Sequence, residues 1–341
     1  MTAASLSVVV PTYRRRASVV RALTALAGQD IPAGEFEVIV AVDGSDDGTK
    51  EAIEAFRAPY ELRVVGGEHR GRAAACNAAL ALAAGEVVLI LDDDMEPAPG
   101  CLGLHRRHHP PGTAVCVMGG VPVRVGRDAP PAARFMAWKF DLHLNNLAQP
   151  QHAFGLRDFY SGNTSIRRDV LLNVGLFDEA FTRYGNEDLE LSLRLRNANV
   201  RLLYDPDALA FQHYEKNLVA LTRDTFEKGT TAVLLARSHP SAFEELQLAT
   251  YNAHSLWWRA LRAALLHATR AYGTVGSAVL GVARALERTP IGRRPMFYIL
   301  LLDYFYWLGV QSALTEPPEP GPLTQLAAEL RHGPIRLLLH R

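Results

Sequence analysis

Val87-Val88-Leu89-Ile90-Leu91-Asp92-Asp93-Asp94 decides the fold: an unbroken apolar run, rich in β-branched residues, ends in three carboxylates. Such a run reads as a strand covered on both faces, as in a parallel sheet flanked by helices. In these sheets ligands gather outside the carboxyl ends of the strands, where the three acids fall. Adjacent carboxylates repel one another and gain nothing from a core, so a hard cation with oxygen ligands is their natural counterpart. In an extended segment Asp92 and Asp94 project to one side and Asp93 to the other. A polar cap between strand and loop would use the same residues, so the run alone leaves both readings open.

Working outward, strand and helix signals alternate before this point. Leu6 to Val10, Phe36 to Val42 and Leu62 to Val65 read as strands; Ser18 to Ala27, Thr49 to Phe56 and Ala73 to Ala83 read as helices. This βαβαβαβ order predicts a parallel sheet with right-handed crossovers, and places the loops after each strand on one edge. Those loops, Pro11 to Arg16, Asp43 to Gly48, Gly66 to Arg72 and Asp92 to Glu96, converge on one crevice.

The loops carry chemistry suited to a nucleoside diphosphate. Asp43 can accept from a pyrimidine imide or a ribose hydroxyl. Gly44 and Gly48 let the loop between them turn tightly, although a plain Asp-Gly turn explains the same residues. Arg14-Arg15-Arg16 and His69-Arg70-Gly71-Arg72 bring cations that could stack on a base or pair with phosphate, or simply face solvent. Neither a dinucleotide glycine fingerprint nor a P-loop is present, so a metal becomes the expected diphosphate clamp.

Composition limits the alternatives. The 341 residues are 48% hydrophobic, enough for one large domain plus an extension or for two domains, and 36 basic residues balance 36 acidic ones. Zero net charge argues against nucleic acid as a partner. Cys76, Cys101 and Cys116 show no metal or disulfide spacing, so they read as buried small hydrophobes in a reducing, cytoplasmic protein. The first residues lack a basic segment and an apolar stretch of signal-peptide length, so export is not expected.

A second cluster follows about a hundred residues downstream. Tyr160-Ser161-Gly162-Asn163 and Gly175-Leu176-Phe177-Asp178 precede Glu187-Asp188, which open a helical stretch ending at Arg194 and Arg196. At a helix N-terminus the dipole keeps a carboxylate ionised, ready to take a proton from a hydroxyl. Ordinary capping would also place acids there.

Together these residues resemble the family 2 glycosyltransferases of the GT-A fold. The resemblance spans roughly residues 5 to 215. Val8-Val9-Val10-Pro11-Thr12-Tyr13 is similar to the family's first-strand motif, with Arg14 where Asn is usual; Val42 to Thr49 is similar to its second motif. Gly71 to Asn77, Leu91 to Asp94, Ser161 to Asn163, Gly175 to Asp178 and Glu187 to Leu195 resemble the rest, including the DxD and the ED helix. The resemblance implies a Rossmann-like, mostly parallel α/β GT-A catalytic domain over 1–218, with a C-terminal helical extension over 219–341. It also implies an inverting transfer from a nucleoside-diphosphate sugar, with uracil the expected base, to a hydroxyl acceptor in polysaccharide, glycolipid or glycoconjugate synthesis. By the same resemblance, Pro11, Thr12, Tyr13, Arg15, Asp43, Arg72, Asp92 and Asp93 hold the nucleotide. Asp94 and Asp92 hold Mn2+ or Mg2+, Asp188 is the general base with Glu187 as its substitute, and Gly162, Asn163 and Trp138 meet donor sugar or acceptor. His213 sits where some related enzymes place another metal ligand, and a loop histidine is the plain alternative. His105, His108 and His109 look like an exposed helix end and stay outside the site.

Between the halves, Ala133 to Asp158 carries Met136, Trp138, Phe140, Leu142 and Phe154, fit either for stacking on a sugar or for packing. Past Lys216 long helical runs are expected at Ala220 to Ala236, Phe243 to Arg270, Ser277 to Glu287 and Met296 to Val310. Asp303 interrupts the last, which favours a core or interfacial helix over a span. These helices suit core packing, a subunit contact in a homo-oligomer, or the inner membrane surface near a glycan or lipid-linked acceptor. A sugar nucleotidyltransferase, or a catalytically silent sugar-nucleotide or glycan-binding module of a membrane complex, is the alternative.

Overall fold

The computed structural model describes residues 5–314 and 321–332. The chain divides into two compact units, the first made of Met1–Arg127, Met136–Arg183 and Glu187–Tyr214, the second of Asp128–Phe135, Tyr184–Asn186 and Glu215–Arg341.

In chain order the elements are β1 (Leu6–Thr12), α1 (Arg16–Leu26), β2 (Phe36–Asp43), α2 (Thr49–Glu54), β3 (Glu61–Gly67), α3 (Arg72–Leu80), β4 (Val87–Leu91), β5 (Met95–Pro97) and α4 (Cys101–Arg107). There follow β6 (Val115–Gly119), β7 (Val123–Arg124), α5 (Pro131–Leu147), β8 (Asn163–Arg167), α6 (Arg168–Val174), α7 (Glu187–Asn197), β9 (Arg201–Asp205) and β10 (Ala210–His213). The sheet order is β3-β2-β1-β4-β8-β6-β9, with β1 to β4 mutually parallel and β8 antiparallel to both β4 and β6. The strand readings around β1, β2, β3 and β4 thus correspond to a mostly parallel sheet. β4 is buried along its whole length because apolar clusters cover it on both sides: Leu89 and Leu91 pack on one face, Val88 and Ile90 on the other. The chain leaves β4 directly into the aspartates, and a small sheet, β5-β10-β7, forms beyond them.

Two expectations need correction. His105 and His109 are buried rather than exposed. They lie one helical turn apart, the first in α4 and the second just past its end, and both meet Ser165 Oγ on β8, at 2.8 Å and 2.7 Å. Desolvation pushes their pKa values down, to about 4 and about 3, so both are neutral. The expected continuous helix from Phe243 to Arg270 is broken: 3-10 turns at Pro240–Glu245 and Gln247–Thr250 precede α9 (Leu256–Ala271). A buried side chain fixes that break, as the Arg262 guanidinium folds back to donate to the Tyr251 carbonyl.

The second unit also holds α8 (Leu218–Ser238), α10 (Val275–Glu287), α11 (Pro295–Ala313) and α12 (Pro322–His332). Asp303, which interrupts the apolar run, accepts from Trp258 Nε1 at 2.6 Å, Arg262 at 2.7 Å and Trp307 Nε1 at 2.9 Å. A buried carboxylate so satisfied belongs to a protein core. No described helix is long and apolar enough to cross a membrane.

α8 and α11 meet at backbone contact. A Cβ on Gly229 would lie 2.0 Å from the Tyr306 carbonyl oxygen, and one on Gly309 2.0 Å from that of Phe226. Only glycine fits either crossing point. Gly309→Leu should therefore lower stability by about 1–3 kcal/mol through overpacking, read as a fall in the urea midpoint; an unchanged midpoint would show that the helices separate freely.

Candidate active site

The end of β4 delivers three acids to an edge where their charges are separately managed. Asp93 turns inward: Thr12 Oγ1, at the end of β1, donates to its Oδ2 at 2.7 Å, and Arg15 lies 3.7 Å from its Oδ1. Burial pushes its pKa up to about 7, with Asp94 raising it further and Arg15 opposing. Asp94 meets Arg15 at 3.2 Å and the Gln212 amide at 3.4 Å. Asp92 takes a 2.6 Å ion pair from Arg72, at the start of α3. Next to it, the Gly162 carbonyl accepts from the Asp92 N–H, and a Cβ at 162 would lie 2.5 Å from Asp92 Oδ2. Gly162 is thus glycine because the carboxylate occupies the side-chain space.

The downstream acids arrive at the same place. Glu187 opens α7 and is buried, and its Oε1 lies 3.4 Å from the Arg72 guanidinium that also holds Asp92. Its Oε2 is buried with no hydrogen-bond partner among the described residues. Desolvation raises its pKa, and the neighbouring charge of Asp188 raises it further, against the pull of Arg72. Asp188 is only half-buried and caps α7 through the Leu189 N–H at 2.9 Å. A single guanidinium therefore joins the acids of β4 to those of α7, although 95 residues separate Asp92 from Glu187 in the chain.

On the nucleotide side Asp43 is tied to the loop before α3. Its carboxylate accepts from the Arg70 N–H at 2.7 Å and the Gly71 N–H at 3.0 Å, and meets His69 Nδ1 at 2.8 Å. Asp43 thus shapes the loop before α3, where Gly71 at φ +96° leaves no room for a Cβ beside the Thr182 backbone. Tyr13, half-exposed, stacks on His69 with centroids 4.2 Å apart. His69 was legible only as one cation among several; its role as the platform beneath Tyr13 needs the fold. A cleft of about 370 Å³ is lined by His69, Arg70, Glu179 and Thr182. Pro11, inside β1, is buried and stands opposite Ala41 of β2, one residue before the strand ends at Thr12.

Two sugar-side and metal-side expectations change. Asn163 is fully buried: its amide donates to the Ala208 carbonyl at 2.8 Å, and its Oδ1 meets His105 Nε2 at 3.0 Å. It braces β8, with both ends of the amide used inside the fold. The backbone N–H of His213 does reach the Asp94 carbonyl, but its imidazole Nε2 is turned to Glu96 at 2.6 Å. Arg124 holds the same Glu96 at 2.8 Å. Among the described residues no three Asp, Glu, His or Cys side chains converge on one point. Trp138 and Leu142, four residues apart on α5, are exposed at 40% and 48% and share one helix face.

The sheet order and the acid-lined edge define the GT-A class of α/β proteins. The chain belongs to glycosyl transferase family 2, whose signature matches residues 7–175. Among curated relatives, the validoxylamine A glucosyltransferase of Streptomyces hygroscopicus subsp. jinggangensis is 28% identical over 286 residues, covering 72% of this chain and 64% of its own. The chain spans about 60% of the length of the curated relatives it matches. Among solved structures, the mannosyltransferase PcManGT of Pyrobaculum calidifontis, in complex with GDP-Man and Mn2+, is 22% identical with a TM-score of 0.58, covering 91% of this chain and 87% of its own. TarS 1-349 of S. aureus in complex with UDP-GlcNAc is 18% identical with a TM-score of 0.51, covering 90% and 91%. These two likenesses establish the fold.

Asp93 yields a pH prediction. Its folded pKa of about 7 lies above the ordinary carboxylate value. The protonated form is favoured in the fold, so stability is withdrawn as pH rises from about 4 through about 7 and then levels off. Asp93→Asn, which keeps the shape without the charge, should show a smaller loss of urea midpoint between pH 5 and pH 8 than the parent. Equal slopes would mean that Asp93 is not forced to bury charge.

Proposed function

We propose that this protein is a glycosyltransferase that moves a sugar from a nucleoside-diphosphate donor to a hydroxyl acceptor with inversion at the anomeric carbon. The observation that carries this reading is the Arg72 guanidinium, which touches Asp92 at the end of β4 and Glu187 at the start of α7. A donor held at β4 would then lie within reach of a proton acceptor on α7.

The residues divide the work. Tyr13 and His69 offer an aromatic platform for the base, while Thr12 and Asp43 organise the loops around it. The half-exposed Asp188 takes the proton from the acceptor hydroxyl, whose oxygen then attacks opposite the leaving diphosphate. Glu187, buried against Arg72, sets the charge around that base. Trp138 and Leu142 present an apolar helix face on which a sugar ring can stack.

The donor set at β4 fits a hard divalent cation, Mn2+ or Mg2+, because Asp92 and Asp94 supply carboxylate oxygens on either side of the buried Asp93. With only two such ligands, diphosphate oxygens and water would complete the shell. Bound there, the ion would offset charge on the departing nucleoside diphosphate. The neighbours of this fold carry GDP-Man in one case and UDP-GlcNAc in the other, so the donor base stays open between guanine and uracil.

Two variants test the assignment. Asp188→Asn should leave nucleoside-diphosphate binding near normal and cut turnover by about 10² or more; full turnover would remove Asp188 as the base. Asp94→Ala should abolish the extra thermal stabilisation that Mn2+ adds to a nucleoside diphosphate, since a ligand that binds the fold and not the unfolded chain raises stability by mass action. Identical shifts with and without Mn2+ in the parent protein would refute the metal role.

A further inference from the structure

In the second unit, α9 and α10 present apolar faces to solvent. At about 100° per residue, the buried Trp258, Arg262 and Leu266 mark the inner side of α9, and Trp257, Leu261, Ala264 and Ala268 fall opposite. Trp257 is 61% exposed and Leu261 44%. The arginines of α9 lie off this stripe. α10 repeats the inversion, with Gly276 and Ala283 inward and Ala278, Val282 and Ala285 outward. A surface helix of a globular protein ordinarily turns charge to water, so these faces want another covering. The helices are neighbours, since Gly276 lies against Thr269 of α9 and Leu308 of α11. Exposed Tyr272, Ile291 and Met296 extend the apolar surface through the adjoining segments.

Charge identifies what covers it. Arg270, Arg284, Arg288, Arg293 and Arg294 are all exposed, and Glu287 is the single acid between Leu256 and Met296. Glu287 itself accepts from the Tyr298 hydroxyl at 3.1 Å. A second copy of this chain, docked about a two-fold axis, would set like charges against like. Anionic headgroups would meet them with opposite charge, and the guanidinium fork matches phosphate oxygens.

We propose that the outer faces of α9 and α10 dock on an anionic lipid bilayer, with Trp257, Leu261 and Val282 entering the headgroup boundary and the arginines meeting lipid phosphates. The helices lie on the surface and do not cross it, in keeping with the lack of any described helix long and apolar enough to span. This docking does not depend on the catalytic reading, so either can fail alone.

The test is flotation of the full chain with phosphatidylcholine vesicles, with and without phosphatidylserine. Binding should require phosphatidylserine and weaken with salt. Each surface arginine contributes about fivefold, so Arg284→Gln with Arg288→Gln should weaken binding about 25-fold. Trp257→Ser with Leu261→Ser should also weaken it, while far-UV circular dichroism and nucleotide binding stay unchanged for both pairs. Equal binding to neutral vesicles, or no binding to either kind, overturns the proposal. A dimer in solution that the Trp257/Leu261 pair dissolves, with no vesicle binding, would assign the surface to a second copy instead and equally overturn it.

Discussion

Arg72 is the constraint on which the site depends. Its guanidinium is held between Asp92 and Glu187, so two acidic groups from distant parts of the chain can be brought together without an uncompensated buried charge. Around it the charges form a graded set: Arg15 against Asp94 and Asp93, Arg72 against Asp92 and Glu187, and Thr12 donating to Asp93. The partners are short-range and directional, which makes the acid cluster a defined array and not merely a region of negative potential.

The scaffold explains why this array can be precise. β4 is sandwiched between two apolar layers, so the position at which it releases the aspartates cannot drift without exposing Leu89 or Ile90. β8 lies directly beside it, with Gly162 accepting from the Asp92 N–H. Behind β8, His105, His109, Ser165 and Asn163 form a neutral, hydrogen-bonded brace. Much of the polar chemistry near the acids is therefore internal support, while Asp188 and Tyr13 stay partly exposed.

The two compact units solve different problems. The first buries a parallel sheet and spends its polar side chains at one edge. The second buries polar groups in its centre, around Asp303, and turns apolar side chains outward on α9 and α10. That inversion is the opposite of what an isolated water-soluble helical unit would favour.

Local order was written plainly in the chain. Apolar, β-branched runs marked β1 to β4, the acids after Leu91 marked the end of β4, and Glu187-Asp188 marked a helix start, because each signal depends on neighbours in sequence. The partners of Asn163, His105, His109, Asp43 and His213 were not legible in the chain for one shared reason. A polar side chain looks the same in sequence whether it awaits a ligand or is already satisfied, and its partners lie 26 to 117 residues away. Only the folded chain decides that, since hydrogen-bond partners are assigned by tertiary proximity. The same holds for Arg72: its neighbours Gly71 and Ala73 reveal a helix entry, but its place between Asp92 and Glu187 exists only once β4, α3 and α7 are packed together.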